Sequence, residues 1–406
     1  MASGQGPTLP PHGAARSDLE AGPGAAPWQL ETSPSYSYSL GLQNTGLPSE
    51  RPTHRRRCAF VAAVLILVLA IVSALVVAAL EHGGGTTTIS GGGGTSGGGG
   101  RSSAQVACDG SYPVSFFAIG DWGREGGENQ TQVAELMGKV AEAKPPQFVV
   151  SVGDNFYPHG LSSTEDSLFN ESFMGVYTAP GLRVPWHAVL GNHDYCDSAP
   201  AHTASSPIHQ LNMSLTNRDP RWHCERAYTE TFAGGSVQIF FIDTSPFIQR
   251  YLKEKWAQCQ GGVLQQSWQA QLAELERRMN KSTAEWKLAV GHHPSYSSGE
   301  HGNNTEIIQY LEPLFQQYGV QAYFVGHDHN LEHLRLEGYS QIVAGGGSKT
   351  NRGMGSKVEG SDYFWPASGF AAVSVQPDEM TVDFYTLDGG AEPAHTTTIP
   401  RQAAGS

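Results

Sequence analysis

Five short motifs hold the side chains most able to do chemistry. They are Gly120-Asp121-Trp122-Gly123, Gly153-Asp154-Asn155-Phe156-Tyr157, Gly191-Asn192-His193-Asp194-Tyr195, Gly291-His292-His293-Pro294 and Gly326-His327-Asp328-His329-Asn330. Their carboxylates, amide, imidazoles and phenol are donors of the kind that hold metal cations. Two cations can be assembled if one carboxylate bridges. Asp154 is the candidate, because each of its oxygens can bind one cation. Asp121, Tyr157 and His329 would complete one set, and Asn192, His292 and His327 the other. The first set has two carboxylates and a phenolate, which favour a trivalent ion such as Fe(III). Neutral amide and imidazole donors suit a divalent metal. A metal pair of this kind activates a water and holds the attacking and leaving oxygens in phosphoryl transfer. Taken singly, each residue has a bland reading: Asp121 as a helix cap, Tyr157 as a core aromatic, His292 or His293 as a satisfied buried histidine. All seven in order argue for a site.

The elements that must position them are legible as well. Each motif follows an apolar run that reads as a buried strand, at 114–119, 148–152, 187–190, 288–290 and 322–325. The glycine removes side-chain bulk where the chain turns, so the next residue projects from the strand's C-terminal end. Val133, Leu136, Met137 and Val140 share one helical face after the first motif. Leu264, Trp268, Leu272, Leu275 and Met279 do the same before the fourth. Beyond the fifth motif, strand-like segments at 334–336, 341–344, 370–375 and 380–387 follow without helices between them. The expected fold is α/β to α+β, with two mixed sheets packed face to face and helices outside. Trp122, Phe156 and Trp186 read as packing residues beside the site. His159, His202, His209, His223 and His333 read as surface or local hydrogen-bonding residues.

The motif set resembles the purple acid phosphatases of the calcineurin-like metallophosphoesterase superfamily, most closely the small single-domain type typified by mammalian tartrate-resistant acid phosphatase. The resemblance runs from about residue 113 to 387. Arg221-Trp222-His223-Cys224-Glu225-Arg226 and Asp243-Thr244-Ser245-Pro246-Phe247 look like the plant and algal members. It implies a metallophosphoesterase fold and an acid phosphatase acting on phosphate monoesters. It also implies an Fe(III) site beside a divalent Fe, Zn or Mn site, with a metal-bound hydroxide as nucleophile. His193 and His301 then match outer residues that contact phosphate or give a proton to the leaving group, and Asp194 either orients His193 or is an ordinary loop acid. The mammalian disulfide cannot be transferred, since no cysteine follows His301 closely. Other metallophosphoesterases commonly open on Gly-Asp-x-His, but position 123 is Gly here. A receptor or adhesion module on an inactive phosphatase fold is the rival from another class; lost ligands would signal it, and none is lost.

The rest of the chain sets the context. With 25 Lys+Arg against 38 Asp+Glu, the net charge is −13, which argues against nucleic acid as a partner. Residues 1–53 read as a disordered cytosolic tail, 54–81 as a basic flank with a transmembrane signal anchor, and 82–107 as a glycine-rich linker. Residues 108–400 form the catalytic domain, expected to be monomeric, and 401–406 a tail. The uncharged run at 59–80 is long enough to span a bilayer, and His54-Arg55-Arg56-Arg57 before it puts the N-terminus in the cytosol. A cleaved signal peptide is the alternative. The catalytic domain is then luminal or extracellular, where sequons at Asn129, Asn170, Asn212, Asn280 and Asn303 are available for glycans. Cys108, Cys196, Cys224 and Cys259 form an even set with three pairings, of which Cys196–Cys224 is favoured. Cys58, beside the membrane, is a free thiol or a palmitoylation site. This topology predicts that glycosidase treatment of the expressed protein increases its gel mobility. A tag at residue 1 that is reachable from outside intact cells would overturn it.

Overall fold

The computed structural model describes residues 111–199, 203–350 and 353–402. In chain order the strands are β1 Val114–Ile119, β2 Phe148–Ser151, β3 Trp186–Ala188, β4 Trp222–Cys224, β5 Tyr228–Phe232, β6 Val237–Phe241 and β7 Trp286–Val290. They continue with β8 Ala322–Val325, β9 Leu331–Leu336, β10 Tyr339–Ala344, β11 Ser361–Trp365, β12 Gly369–Val375, β13 Glu379–Thr386 and β14 His395–Pro400. One seven-stranded sheet has the order β14-β13-β12-β1-β2-β3-β4, the other β11-β9-β10-β8-β7-β6-β5. Both are mixed. β1 to β4 run parallel, as do β6, β7, β8 and β10, and antiparallel strands flank each run.

β2 and β8 are buried along their whole length and β1 and β7 at all but one position, which is why these parallel strands appear as largely apolar runs. Between the sheets lies a core built from Phe116, Ala118, Val150, Val152, Ile239, Leu288, Phe324 and Ile342. A second core lies against the outer helices. The helix Gln130–Ala143 buries Val133, Leu136, Met137 and Val140, as its periodicity predicts. The helix Trp268–Lys281 buries Leu275 and Met279, and Ser267 caps it by accepting from the Ala270 N–H at 3.2 Å. Leu264 is a correction: it sits in a turn before that helix and is 51% exposed.

The largest side chains gather behind the first three motifs. Trp122 is fully buried, with the rings of Phe156, Phe173, Tyr177, Trp186 and Trp222 around it at centroid distances of 5.3 to 6.4 Å. Its indole N–H donates to Ser151 Oγ at 2.8 Å, and that hydroxyl donates to Asn155 Oδ1 at 2.5 Å. One residue thus joins the aromatic core to the loop after β2.

Two expectations change. Cys196, Cys224 and Cys259 are free thiols, so the Cys196–Cys224 bridge is not formed. The Cys196 thiol instead donates to the Ser205 carbonyl at 3.0 Å and shares a hydrogen bond with Cys259, because its loop folds towards the segment at 255–259 and away from β4. Cys108 and the expected membrane span lie outside the described residues. Among the described residues no helix is long and apolar enough to cross a membrane.

Removing the Trp122 ring leaves a large cavity and takes from the Ser151 hydroxyl the hydrogen bond it accepts. Trp122→Ala should cost about 3–5 kcal/mol in chemical denaturation. An unchanged denaturation midpoint would show that the aromatic cluster does not hold this end of the sheets.

Candidate metal centre and active site

The parallel strands of both sheets end at one edge of the molecule, and the loops leaving them bring all seven expected donors together. Asp121 follows β1, Asp154 and Tyr157 follow β2, Asn192 follows β3, His292 follows β7, and His327 and His329 follow β8. Each is buried. Asp121, Asp154 and His327 adopt positive φ angles of 60°, 51° and 69°, a region that residues with a Cβ rarely occupy. The strand-end glycines serve a separate need, space beside the carboxylates. A Cβ on Gly191 would collide with Asp154 Oδ1, and one on Gly326 with Asp121 Oδ2. These glycines are needed for close approach to the carboxylates, and the left-handed turn falls on the residue after Gly326, His327.

The donors form two overlapping groups. In one, the Tyr157 hydroxyl is 2.9 Å from Asp154 Oδ2, 3.2 Å from Asp121 Oδ1 and 3.0 Å from His329 Nε2. In the other, His292 Nε2 is 3.4 Å from Asp154 Oδ1 and 3.2 Å from Asn192 Oδ1. Asp154 therefore faces one group with each oxygen. His292 Nδ1 lies 2.9 Å from the Val152 carbonyl, which fixes its ring and leaves Nε2 towards the carboxylate.

Burial alone would raise the Asp154 carboxyl, but the His292 and His193 imidazoles hold it well below the usual range. Against its own burial, His292 is pushed up to about 9 by Asp154. Tyr157 is driven well above 10 by burial and by the Asp154 and Asp121 charges, so without a cation it is a phenol. His327 goes the other way: burial, then His293 and His301, lower it far enough to keep a neutral ring. Its Nε2 is buried without a hydrogen-bond partner. A buried neutral imidazole with an unused nitrogen, next to paired carboxylates, fits a cation centre. Ligand atoms of Asp121, Asp154 and His292 lie within 4.8 Å of one another, as do those of His292, His293 and His327. His293 is spoken for, since Thr244 Oγ1 lies 2.8 Å from Nδ1 and Tyr251 Oη 2.9 Å from Nε2. Its role is structural.

A cavity of about 620 Å³ opens over these groups, lined in part by His193, Arg250, Tyr251, Trp256 and His301. His301 stacks on the His327 ring at 4.3 Å. His193 Nε2 is 3.9 Å from Asp154 Oδ2, and its Nδ1 meets the Pro158 carbonyl at 2.7 Å. That last contact corrects the role expected for Asp194. Fully buried, Asp194 instead accepts from the N–H groups of Gly191, Asn155 and Phe156 and from Gln210 Nε2. It clamps loops and does not orient His193. Residues missed in the sequence include Asp197, which takes the Asn192 amide N–H at 2.7 Å and so turns Asn192 Oδ1 towards His292. Arg124 is another, its guanidinium 3.5 Å above the Tyr157 ring. Neither follows a strand-end glycine, the only signal available.

A family model described as calcineurin-like phosphoesterase matches residues 114–331. The chain is 40% identical over 285 residues to purple acid phosphatase 3 of Arabidopsis thaliana, covering 68% of this chain and 75% of that protein. It is 30% identical over 314 residues to tartrate-resistant acid phosphatase type 5 of Homo sapiens, covering 73% and 94%. Of solved structures, Plasmodium GAP50, described as the anchor in the inner membrane complex, aligns with a TM-score of 0.60 at 22% identity over 72% of this chain and 90% of that one. That likeness is one of fold. Two mixed sheets with metal-type donors at one edge define a calcineurin-like phosphoesterase. Within that class the chain belongs to the purple acid phosphatases and is a phosphoric monoester hydrolase.

The close packing at Gly191 gives a test. Gly191→Ala should displace the Asp154 carboxylate and lower turnover of p-nitrophenyl phosphate by roughly 10²-fold while circular dichroism stays native. Wild-type turnover in this variant would mean that the approach of Gly191 to Asp154 is not required.

Proposed function

We propose that this edge is a dinuclear centre serving a membrane-anchored acid phosphatase of broad monoester specificity. Asp121, Asp154, Tyr157 and His329 would hold Fe(III), and Asp154, Asn192, His292 and His327 a divalent Fe, Zn or Mn. The observation that carries this is the position of Asp154, whose two oxygens face the two donor groups separately. Bound there, the cations would supply Lewis acidity to phosphate oxygens and to a water.

The protein's own residues do the rest. Arg250 adds positive charge to the cavity wall. With Nδ1 committed to Pro158, His193 keeps Nε2 free to hold a proton over the cavity and give it to a leaving alkoxide. His301 stands at the rim, where a leaving group would pass. The intact set of seven donors favours an enzyme over a binding module.

A type II anchor is supported by the apolar run at 59–80 and the basic flank before it. All five sequon asparagines are exposed, as glycan attachment in a lumen or outside the cell needs.

Metal analysis with kinetics separates the roles. Asp154→Asn should lose both metals and turnover together. His193→Ala should keep the metals and slow hydrolysis by about 10²-fold. Full metal content in the first variant, or metal loss in the second, would reverse these assignments.

A further inference from the structure

A second cluster of metal-type donors lies on the strands, where the edges of the two sheets meet. His187 of β3 and His223 of β4 are register partners on parallel strands, so their side chains share a face. Glu230, on β5 at the edge of the other sheet, reaches both of them. Its Oε1 is 3.9 Å from His187 Nδ1 and 3.8 Å from His223 Nε2. These two nitrogens are buried and have no hydrogen-bond partner.

Two features separate this arrangement from an ordinary histidine–carboxylate contact. The spacings are too long for hydrogen bonds. They exceed by about 0.5 Å the ligand–ligand edge of about 3.3–3.4 Å that a tetrahedron with metal–nitrogen bonds of 2.0–2.1 Å requires, a gap that small side-chain rotations close. In the catalytic centre the corresponding nitrogen–oxygen spacings are 3.4 Å. Moreover, the two orphaned nitrogens are the very atoms that face the carboxylate. Leaving two such groups unpaired is costly unless something binds them.

We propose that His187, His223 and Glu230 bind a divalent transition metal of the zinc type, separate from the catalytic pair. Imidazole and carboxylate donors suit Zn(II). Glu225 Oε1, 3.6 Å from the same His223 nitrogen, is within reach as a fourth donor. Access is open, since the side chains of His223 and Glu230 are 37% and 34% exposed. His187 is held by packing against Phe148, Phe232 and Phe241. A metal here would fasten β3 and β4 of one sheet to β5 of the other.

The test uses the full-length protein with its catalytic metals in place, titrated with Zn(II) alone. Wild type should bind one zinc per chain more than His223→Gln or Glu230→Gln, whatever the catalytic centre holds. Zinc should raise the melting temperature of wild type but of neither variant. Both variants should hydrolyse p-nitrophenyl phosphate at the wild-type rate, because neither residue lines the catalytic cavity. Equal zinc content in wild type and both variants would overturn the proposal, and so would a melting temperature of wild type that zinc leaves unmoved.

Discussion

Two carboxylates, Asp121 and Asp154, are taken out of water at the join of two sheets, and much of the surrounding structure answers that cost. Burying charge is tolerated only when partners replace the lost hydration. Here the partners come from four strand ends, those of β2, β3, β7 and β8. His193 and His327 give backbone N–H groups to Asp154 and Asp121, Tyr157 gives a hydroxyl, and His292 gives an imidazole. No single loop could supply them. The site therefore exists only when both sheets are complete and face each other, which ties its geometry to the whole fold.

The same demand accounts for the backbone. Three of the donors sit at positive φ, an arrangement that costs of order 1–3 kcal/mol per residue and persists only where the surroundings overdetermine it. The surroundings do so. Trp122 and its aromatic neighbours fix the loop after β2, while Thr244 and Tyr251 lock His293 beside His292. Packing stability is in effect converted into accuracy of the donor positions.

Much of this was legible in the sequence because donors follow strand-end glycines, and because parallel strands covered on both faces are uniformly apolar. The strands β1, β7 and β8, both core helices and the convergence of the seven candidate ligands could be read in this way. β6 was missed although it is apolar, since Asp243 and Thr244 follow it without the glycine that marks the others. β4 is three residues long, too short for any period, and β11 is largely half exposed and carries a register shift. Asp197 and Arg124 act from loops, and Arg250 from the short 3-10 helix Gln249–Lys253, whose neighbours are set only by tertiary structure. Asp194 shows the opposite failure. Its place beside His193 in sequence suggested a partnership, but the chain turns there and sends its carboxylate inward. The expected cysteine pairing failed similarly, because sequence separation says nothing about which loops converge.

The inward-turned Asp194 also makes the loops after β2 and β3 a single mechanical unit. One carboxylate holds the amides of Asn155, Phe156 and Gly191 and the side chain of Gln210. Letting one loop go leaves a buried acid short of donors, so the cheaper fluctuation is to release them all. Hydrogen exchange at these three amides should accordingly be collective, with one shared opening free energy. The floor of the catalytic cavity thus behaves as one cooperative element, which opens as a whole or stays shut.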